Sequence, residues 1–369
     1  MSTTRHFTRH RLRTAAVLAL GVLPFVAVAC GSSSGSSAKP ADNTSSTTAS
    51  TAPVDLRLGY FPNVTHAPAL IGIQGKIFEK YLGKNVTLKP QSFNAGPDVT
   101  TAIFSGALDA SFIGPGPSIS AYQKSNKQAI KIVSGAASGG AFLVTKPSIT
   151  KPADLKGKKI ASPQLGNTQD IALRSWLKQQ GYTTDTSGGG DVSIVPEDNA
   201  LTLTAFQQGQ IDGAWVPEPW ATRLVKEGGG KILVDEASLW PKGRFVTTDL
   251  IVSQKFLSEH PDVVKQLIEG EVAAIDLTRT NRKQAEGYVA SGIQAATGKA
   301  IAPDLVTASF DSITFTTDPI VTSLLKNAQE SKALGFTTSD DVKGIYDLSI
   351  LNEVLKAAKQ PTISVPANA

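Results

Sequence analysis

From Val54 onward the apolar positions switch repeatedly between two periods. Residues 54–60 (VDLRLGY) alternate apolar and polar, the spacing of a strand, and 67–83 (APALIGIQGKIFEKYLG) return apolar residues at helical spacing. The pattern repeats through NVTLKPQSF (85–93, strand), GPDVTTAIFSG (96–106, helix) and LDASFIG (108–114, strand). It continues into IKIVSGA (130–136) and AFLVT (141–145). Strand–helix alternation of this kind predicts a mostly parallel sheet covered by helices. From about Pro261 the chain turns helix-rich, with helical spacing in 261–281, 282–298, 319–335 and 348–360.

The pattern also echoes itself. TAIFSGALDASFIGPGP (101–117) aligns with TAFQQGQIDGAWVPEPW (204–220), matching Thr101/Thr204, Ala102/Ala205, Gly106/Gly209 and Asp109/Asp212. LRLGYFPNVTHAPAL (56–70) aligns with KKIASPQLGNTQDIA (158–172) at nearly the same offset. Two echoes in one order predict two lobes of similar design.

Ahead of Val54 the pattern is different. A basic stretch, RHFTRHRLR, precedes TAAVLALGVLPFVAVA, which at 16 residues is short of the ~20 needed to span a bilayer. Small residues then precede Cys30. Residues 1–29 read as a secretory signal and resemble a lipobox, in which cleavage leaves Cys30 carrying a diacylglycerol. An ordinary signal cut after Ala29 is the alternative. Residues 30–53 then hold the lipidated Cys30 and a Ser/Thr/Gly tether, with a coil reach of roughly 25 Å.

Charge changes the picture little. The chain of 369 residues has a formal charge of +5. Arg5, Arg9, Arg11 and Arg13 of the signal supply most of it, which leaves no basic face for nucleic acid. Cys30 is the only cysteine, so disulfides and thiolate metal sites are excluded. Past the signal only His66 and His260 remain, and no nucleophile elbow, phosphate loop or zinc helix motif occurs. No catalytic residue, metal or cofactor is expected.

The candidate chemistry lies in the loops at strand ends, where open α/β sheets bind ligands. In SPQLGNTQD (162–170) a strand stops and a helix starts, with Asn167 or Thr168 at its N-cap and Gly166 permitting close approach. Free first-turn N–H groups and the helix dipole make such an end a site for a small anion without Lys or Arg. The alternative reading is that Asn167 or Thr168 caps its own helix and Asp170 satisfies the dipole. FPNVTH (61–66) is a second helix mouth, with Asn63, Thr65 and His66. Trp176 and Trp215 read as core, and Trp220 as a pocket wall. Glu218 either orients a bound group or faces water, and Tyr60 and Phe61 offer apolar contact.

LGYFPNVTHAPALIGIQGKIFEKYLG, SFNAGPDVTTAIFSGALDASFIGPGPSISAY, LKGKKIASPQLGNTQDIALRSWLKQQGY and GQIDGAWVPEPWATRL together resemble the solute-binding proteins of sulfonate, nitrate and taurine ABC importers. The resemblance covers roughly 54–260. It implies an α/β two-lobe periplasmic-binding-protein fold of the second type, hinged by two crossover segments near Val144 and Thr247, with a helix-rich C-terminal region. Lobe one would comprise 54–145 plus 246–369 and lobe two 146–245. The family's cleft loops fall on Tyr60, Asn63 and His66; on Gly114 and Pro115; on Gly139 and Gly140; on Gly166, Asn167 and Thr168; and on Glu218 and Trp220. The implied role is capture of a small anionic nutrient, first an aliphatic sulfonate, otherwise nitrate, taurine or a thiamine-pyrimidine precursor. The implied partners are a permease and its ATPase subunits, with the receptor a monomer, lipid-anchored at the outer face of the cell membrane. An exported enzyme or a sensor module is the alternative. An enzyme of similar outline that makes the thiamine pyrimidine uses a cysteine-rich motif, which a lone Cys30 in the signal cannot supply.

Overall fold

The computed structural model describes residues 53–366. The expected signal, Cys30 and nearly all of the tether lie outside the described residues. The first run gives β1 (Val54–Tyr60), α1 (Ala67–Gln74), α2 (Ile77–Leu82), β2 (Val86–Ser92), α3 (Gly96–Phe104), β3 (Ala110–Ile113), α4 (Pro115–Lys124) and β4 (Ile130–Gly139). The second gives β5 (Ala141–Thr145), β6 (Lys159–Ser162), α5 (Thr168–Gln179), β7 (Ser193–Pro196), α6 (Asn199–Gln207), β8 (Gly213–Pro217), α7 (Trp220–Lys226) and β9 (Lys231–Asp235). The chain then returns through β10 (Val246–Ser253), α8 (Gln254–Glu259), α9 (Pro261–Thr280), α10 (Arg282–Thr297), α11 (Pro303–Asp311), β11 (Ile313–Phe315), α12 (Val321–Ala333) and α13 (Ser349–Ala357).

Two sheets result, ordered β11-β4-β10-β3-β1-β2 and β7-β6-β8-β5-β9. β1 runs parallel to β2 and β3, and β6 runs parallel to β7 and β8, as the alternation predicts. The antiparallel partners are the strands that carry the chain between sheets, β5 and β10, together with β11. The crossover lies earlier than the sequence reading put it. Val144 does not sit at a passage between sheets: β5 pairs with β8 and β9, entirely within the second sheet. The chain crosses instead at Gly139 and Gly140, whose φ values of +84° and +71° suit glycine and let β4 turn directly into β5.

The internal echo has a physical basis. Asp109 accepts the backbone N–H of Arg57 on β1 at 2.9 Å, and Asp212 accepts that of Lys159 on β6 at 3.0 Å. Each Asp returns its own N–H to the carbonyl of the same partner. Gly106 and Gly209, both at φ +71°, end the preceding helices. The matched residues therefore fasten the same strand in each lobe.

The cores follow from alternation. In the second sheet Phe142, Val144, Ala214 and Val216 face α6 and α7 with Phe206 and Leu224, whereas Leu143, Ile160 and Trp215 face α5 with Leu173 and Trp176. Trp176 and Trp215 are core, as read from the sequence, with ring centroids 5.8 Å apart. The first sheet and the C-terminal helices share one continuous core that includes Phe78, Phe112 and Leu267. No helix among the described residues is long and apolar enough to cross a membrane.

Candidate functional site

The carboxyl ends of β1, β3, β6 and β8 bring four helix mouths together where the two sheets' loops meet. Asn63, Gly114 and Asn167 hold N-cap positions there, and none makes a side-chain cap hydrogen bond. Asn167 therefore does not merely close its own helix. Asp170 is already engaged, accepting from Gly166 N at 2.9 Å and Ser162 Oγ at 2.7 Å and pairing with Arg174.

A central cavity of about 20 Å³ sits among Asn63, Thr65, His66, Gly114, Asn167 and Thr168, with Asn94, Gln169, Asn199 and Thr247 completing its polar wall. That volume holds one water molecule. No Lys, Arg, Asp or Glu lines it. Burial lowers the His66 pKa to about 3, so the ring is neutral. His66 Nδ1 accepts Phe61 N–H at 3.3 Å, which places the proton on Nε2 and makes the ring an uncharged donor.

Bonds across the lobes account for the small volume. Glu218 O accepts Val64 N–H at 3.1 Å, Gly116 N donates to Thr168 Oγ1 at 3.3 Å, and Trp220 Nε1 donates to Asn63 Oδ1 at 2.8 Å. Some of the donors that could meet a ligand thus meet the opposite lobe. A second cavity, about 300 Å³, adjoins the first through the shared residues Asn63, Asn94 and Asn199. Its outer wall holds Trp220, Ile293, Ile301, Arg223 and Lys299. The Arg223 guanidinium lies 4.9 Å from the Trp220 ring centroid. On the opposite side an apolar groove of about 340 Å³ runs between Phe104, Leu165 and Phe336.

Of the residues expected from sequence, Asn63, His66, Gly114, Asn167 and Thr168 line the central cavity, and Trp220 walls the adjoining one. The others sit elsewhere. Gly166 borders the apolar groove, and Tyr60 is buried at the end of β1, where its carbonyl accepts Phe93 N–H. Pro115 opens α4 and offers no N–H. Gly139 and Gly140 serve the crossover, their carbonyls accepting from Thr247 Oγ1 at 2.6 Å and Glu218 N at 2.8 Å. The Glu218 carboxylate turns away from both cavities to accept Thr222 N and Oγ1, at 3.0 and 2.8 Å, and Ser309 Oγ. At 3% exposure the group does not face water, and desolvation raises its pKa. Asn94, Gln169, Asn199 and Thr247 were not singled out by sequence, although Asn94 stands in a strand-end loop.

The chain matches the NMT1-like family over residues 49–293. It is 29% identical over 207 residues to the taurine-binding periplasmic protein of Escherichia coli (strain K12), covering 56% of this chain and 62% of that protein, less than two thirds of its length. The alkanesulfonate-binding protein of Xanthomonas axonopodis pv. citri, solved with bound MOPS, superposes with a TM-score of 0.63 at 19% identity, over 77% of this chain and 94% of that one. The periplasmic nitrate-binding protein of Synechocystis PCC 6803 gives 0.70 at 13% identity, over 84% and 90%. These likenesses show the α/β periplasmic-binding-protein fold.

Proposed function

The chain belongs to the NMT1-like family, and from that premise we propose that it is the extracytoplasmic solute-binding component of an ABC importer, capturing an aliphatic sulfonate. The observation that carries this reading is the charge-free polar cavity at the meeting of helix mouths from both lobes. Uncharged N–H and O–H donors replace water around an oxyanion, and the helix dipoles supply the compensating field. The adjoining cavity gives the aliphatic tail somewhere to go. A bare nitrate would need only the central space, enlarged once the bonds across the lobes part, and this is the second reading.

In this account lobe one is built on the first sheet and lobe two on the second. They hinge at Gly139–Gly140 and at the return segment 236–245, and closure buries the ligand. The protein acts by binding, without catalysis, as a monomer that hands its ligand to a permease driven by its ATPase subunits. Cys30 anchors it to the outer face of the cell membrane through its lipid. Two acyl chains suffice for stable anchoring.

A thermal-shift panel of taurine, longer alkanesulfonates, nitrate and a thiamine-pyrimidine precursor tests the ligand. A ligand at 100 times its Kd adds about 2.7 kcal/mol, and the sulfonates are expected to give that stabilisation. A shift with nitrate alone would transfer the assignment to the second reading, and a flat panel would remove both. The anchor is tested by fractionation: the wild-type chain should pellet with membranes, and Cys30→Ser should be released. Equal release of both forms would mean an ordinary signal cleavage.

A further inference from the structure

The cavity that takes the ligand's tail, about 300 Å³, is lined by more than hydrocarbon, and its polar groups are sorted by position. Acceptors stand where it meets the central cavity. Asn199, the first residue of α6, lines both cavities and is 6% exposed, and its Oδ1 has no hydrogen-bond partner. Asp198, the N-cap of α6, makes no side-chain cap bond. Its Oδ2 accepts Asn94 Nδ2 at 3.1 Å, which leaves Oδ1 to accept another donor. Asn94 is itself shared by the two cavities, so this carboxylate stands at the same junction. Cations stand on the outer wall. Arg223 gives Nε and Nη2 to Glu227, at 3.1 and 3.0 Å, which leaves Nη1 uncommitted. Lys299, just past α10, forms no ion pair among the described residues.

An alkyl tail answers none of these groups. A buried acceptor left unpaired is costly, and a ligand that brings an N–H to it removes the cost. An ammonium brings three donors, and its charge suits Asp198 as well as the amide of Asn199. The outer cations call for the opposite group, a carboxylate. We propose that the ligand is an α-amino acid with a sulfonate on its side chain: the sulfonate enters the helix mouths, the ammonium meets Asp198 and Asn199, and the carboxylate meets Arg223 and Lys299. This rests on the sulfonate reading of the central cavity and narrows it. The ligand's three charges sum to one negative, so it remains an anion. Taurine fills the junction but leaves both cations unanswered. A sulfonate with a carboxylate and no amine brings a second negative charge near Asp198 with nothing to offset it.

Four compounds on one two-carbon sulfonate frame test this. Ethanesulfonate is the bare frame, taurine adds the amine, 3-sulfopropanoate adds the carboxylate, and cysteate adds both. Calorimetry on the mature chain should find cysteate at least tenfold tighter than taurine and tighter than 3-sulfopropanoate, with the advantage over taurine shrinking as salt is raised. Lys299→Glu, at an exposed position, should reverse the order of cysteate and taurine. Asp198→Asn should narrow the gap between cysteate and 3-sulfopropanoate. Taurine or ethanesulfonate binding as tightly as cysteate would overturn the proposal and leave the sulfonate reading standing. So would silence from all four compounds while a longer alkanesulfonate still binds. Failure of every sulfonate would remove both readings together. Should a variant fail to fold, the four compounds on the wild-type chain decide alone.

Discussion

Gly114→Ala is expected to weaken ligand capture by about 5- to 150-fold while the empty protein melts within a few degrees of wild type. Gly114 has φ −78° and ψ 160°, ordinary extended backbone that alanine adopts freely. What alanine meets is the other lobe. A Cβ there would lie 2.2 Å from Thr168 Oγ1 and 3.2 Å from Thr168 Cβ. Gly114 opens α4 at the end of β3, and Thr168 opens α5 at the end of β6, so the clash is relieved by parting the lobes rather than by unfolding either. Overpacking of this kind costs about 1–3 kcal/mol, which at 1.4 kcal/mol per decade gives the stated range. Calorimetry with whichever ligand the panel identifies measures the first quantity, and a melt without ligand measures the second. Adding Thr168→Ala removes the nearer contact and should recover part of the loss, less whatever the hydroxyl itself contributes. Unchanged affinity in Gly114→Ala would show that the two helix mouths are not pressed together in the ligand-bound state.

That pair of residues also shows how far the sequence could be read. Strand-end loops and helix mouths are local features, set by Gly, Asn and Thr following an apolar run, so Asn63, Gly114, Asn167 and Thr168 were visible before any fold was known. Their partners across the junction were not. Asn199 and Thr247 reach the cavity from α6 and β10, and neither has a local signature, because only the packing of two lobes brings them near Asn167. The misplaced crossover has a similar cause. The run from Ile130 to Thr145 is apolar nearly throughout, and ASGGA within it reads as a ligand loop as readily as a turn between two sheets. Only the pairing of β5 with β8 and β9 separates the two meanings. Glu218 is the clearest case of a local reading that tertiary contacts override. Its place in PEPW marks a strand end, yet the first turn of α7 and Ser309 of α11 take its carboxylate out of the cavity. The repeat succeeded where these failed, since Asp109 and Asp212 act on strands of their own lobe.

Asn167→Asp should raise the Kd for the anionic ligand by 100-fold or more while lowering the melting temperature of the empty protein by a few degrees at most. The two side chains have nearly the same shape, and Asn167 makes no side-chain cap hydrogen bond that the change would remove. Asn167 is 6% exposed with no cation in its cavity, so the α5 dipole offsets only part of the cost of the new charge, and the apo melting temperature should fall by a few degrees at most. Binding is another matter. A carboxylate about 5 Å from the bound anion, at an effective dielectric constant of about 20, opposes it by ~3 kcal/mol. Nothing in the cavity wall can offset that repulsion: no Lys or Arg lines it, and His66, with its pKa lowered to about 3, stays neutral across the physiological range. Asn167→Ala removes donors without adding charge and should cost only about tenfold. The order of the two variants is therefore diagnostic. If Asp binds as well as Asn, or better, the ligand is not an anion held at this helix mouth. If Asp and Ala weaken binding equally, Asn167 acts through shape and hydrogen bonding, and the field of the helix ends does not set the ligand's charge.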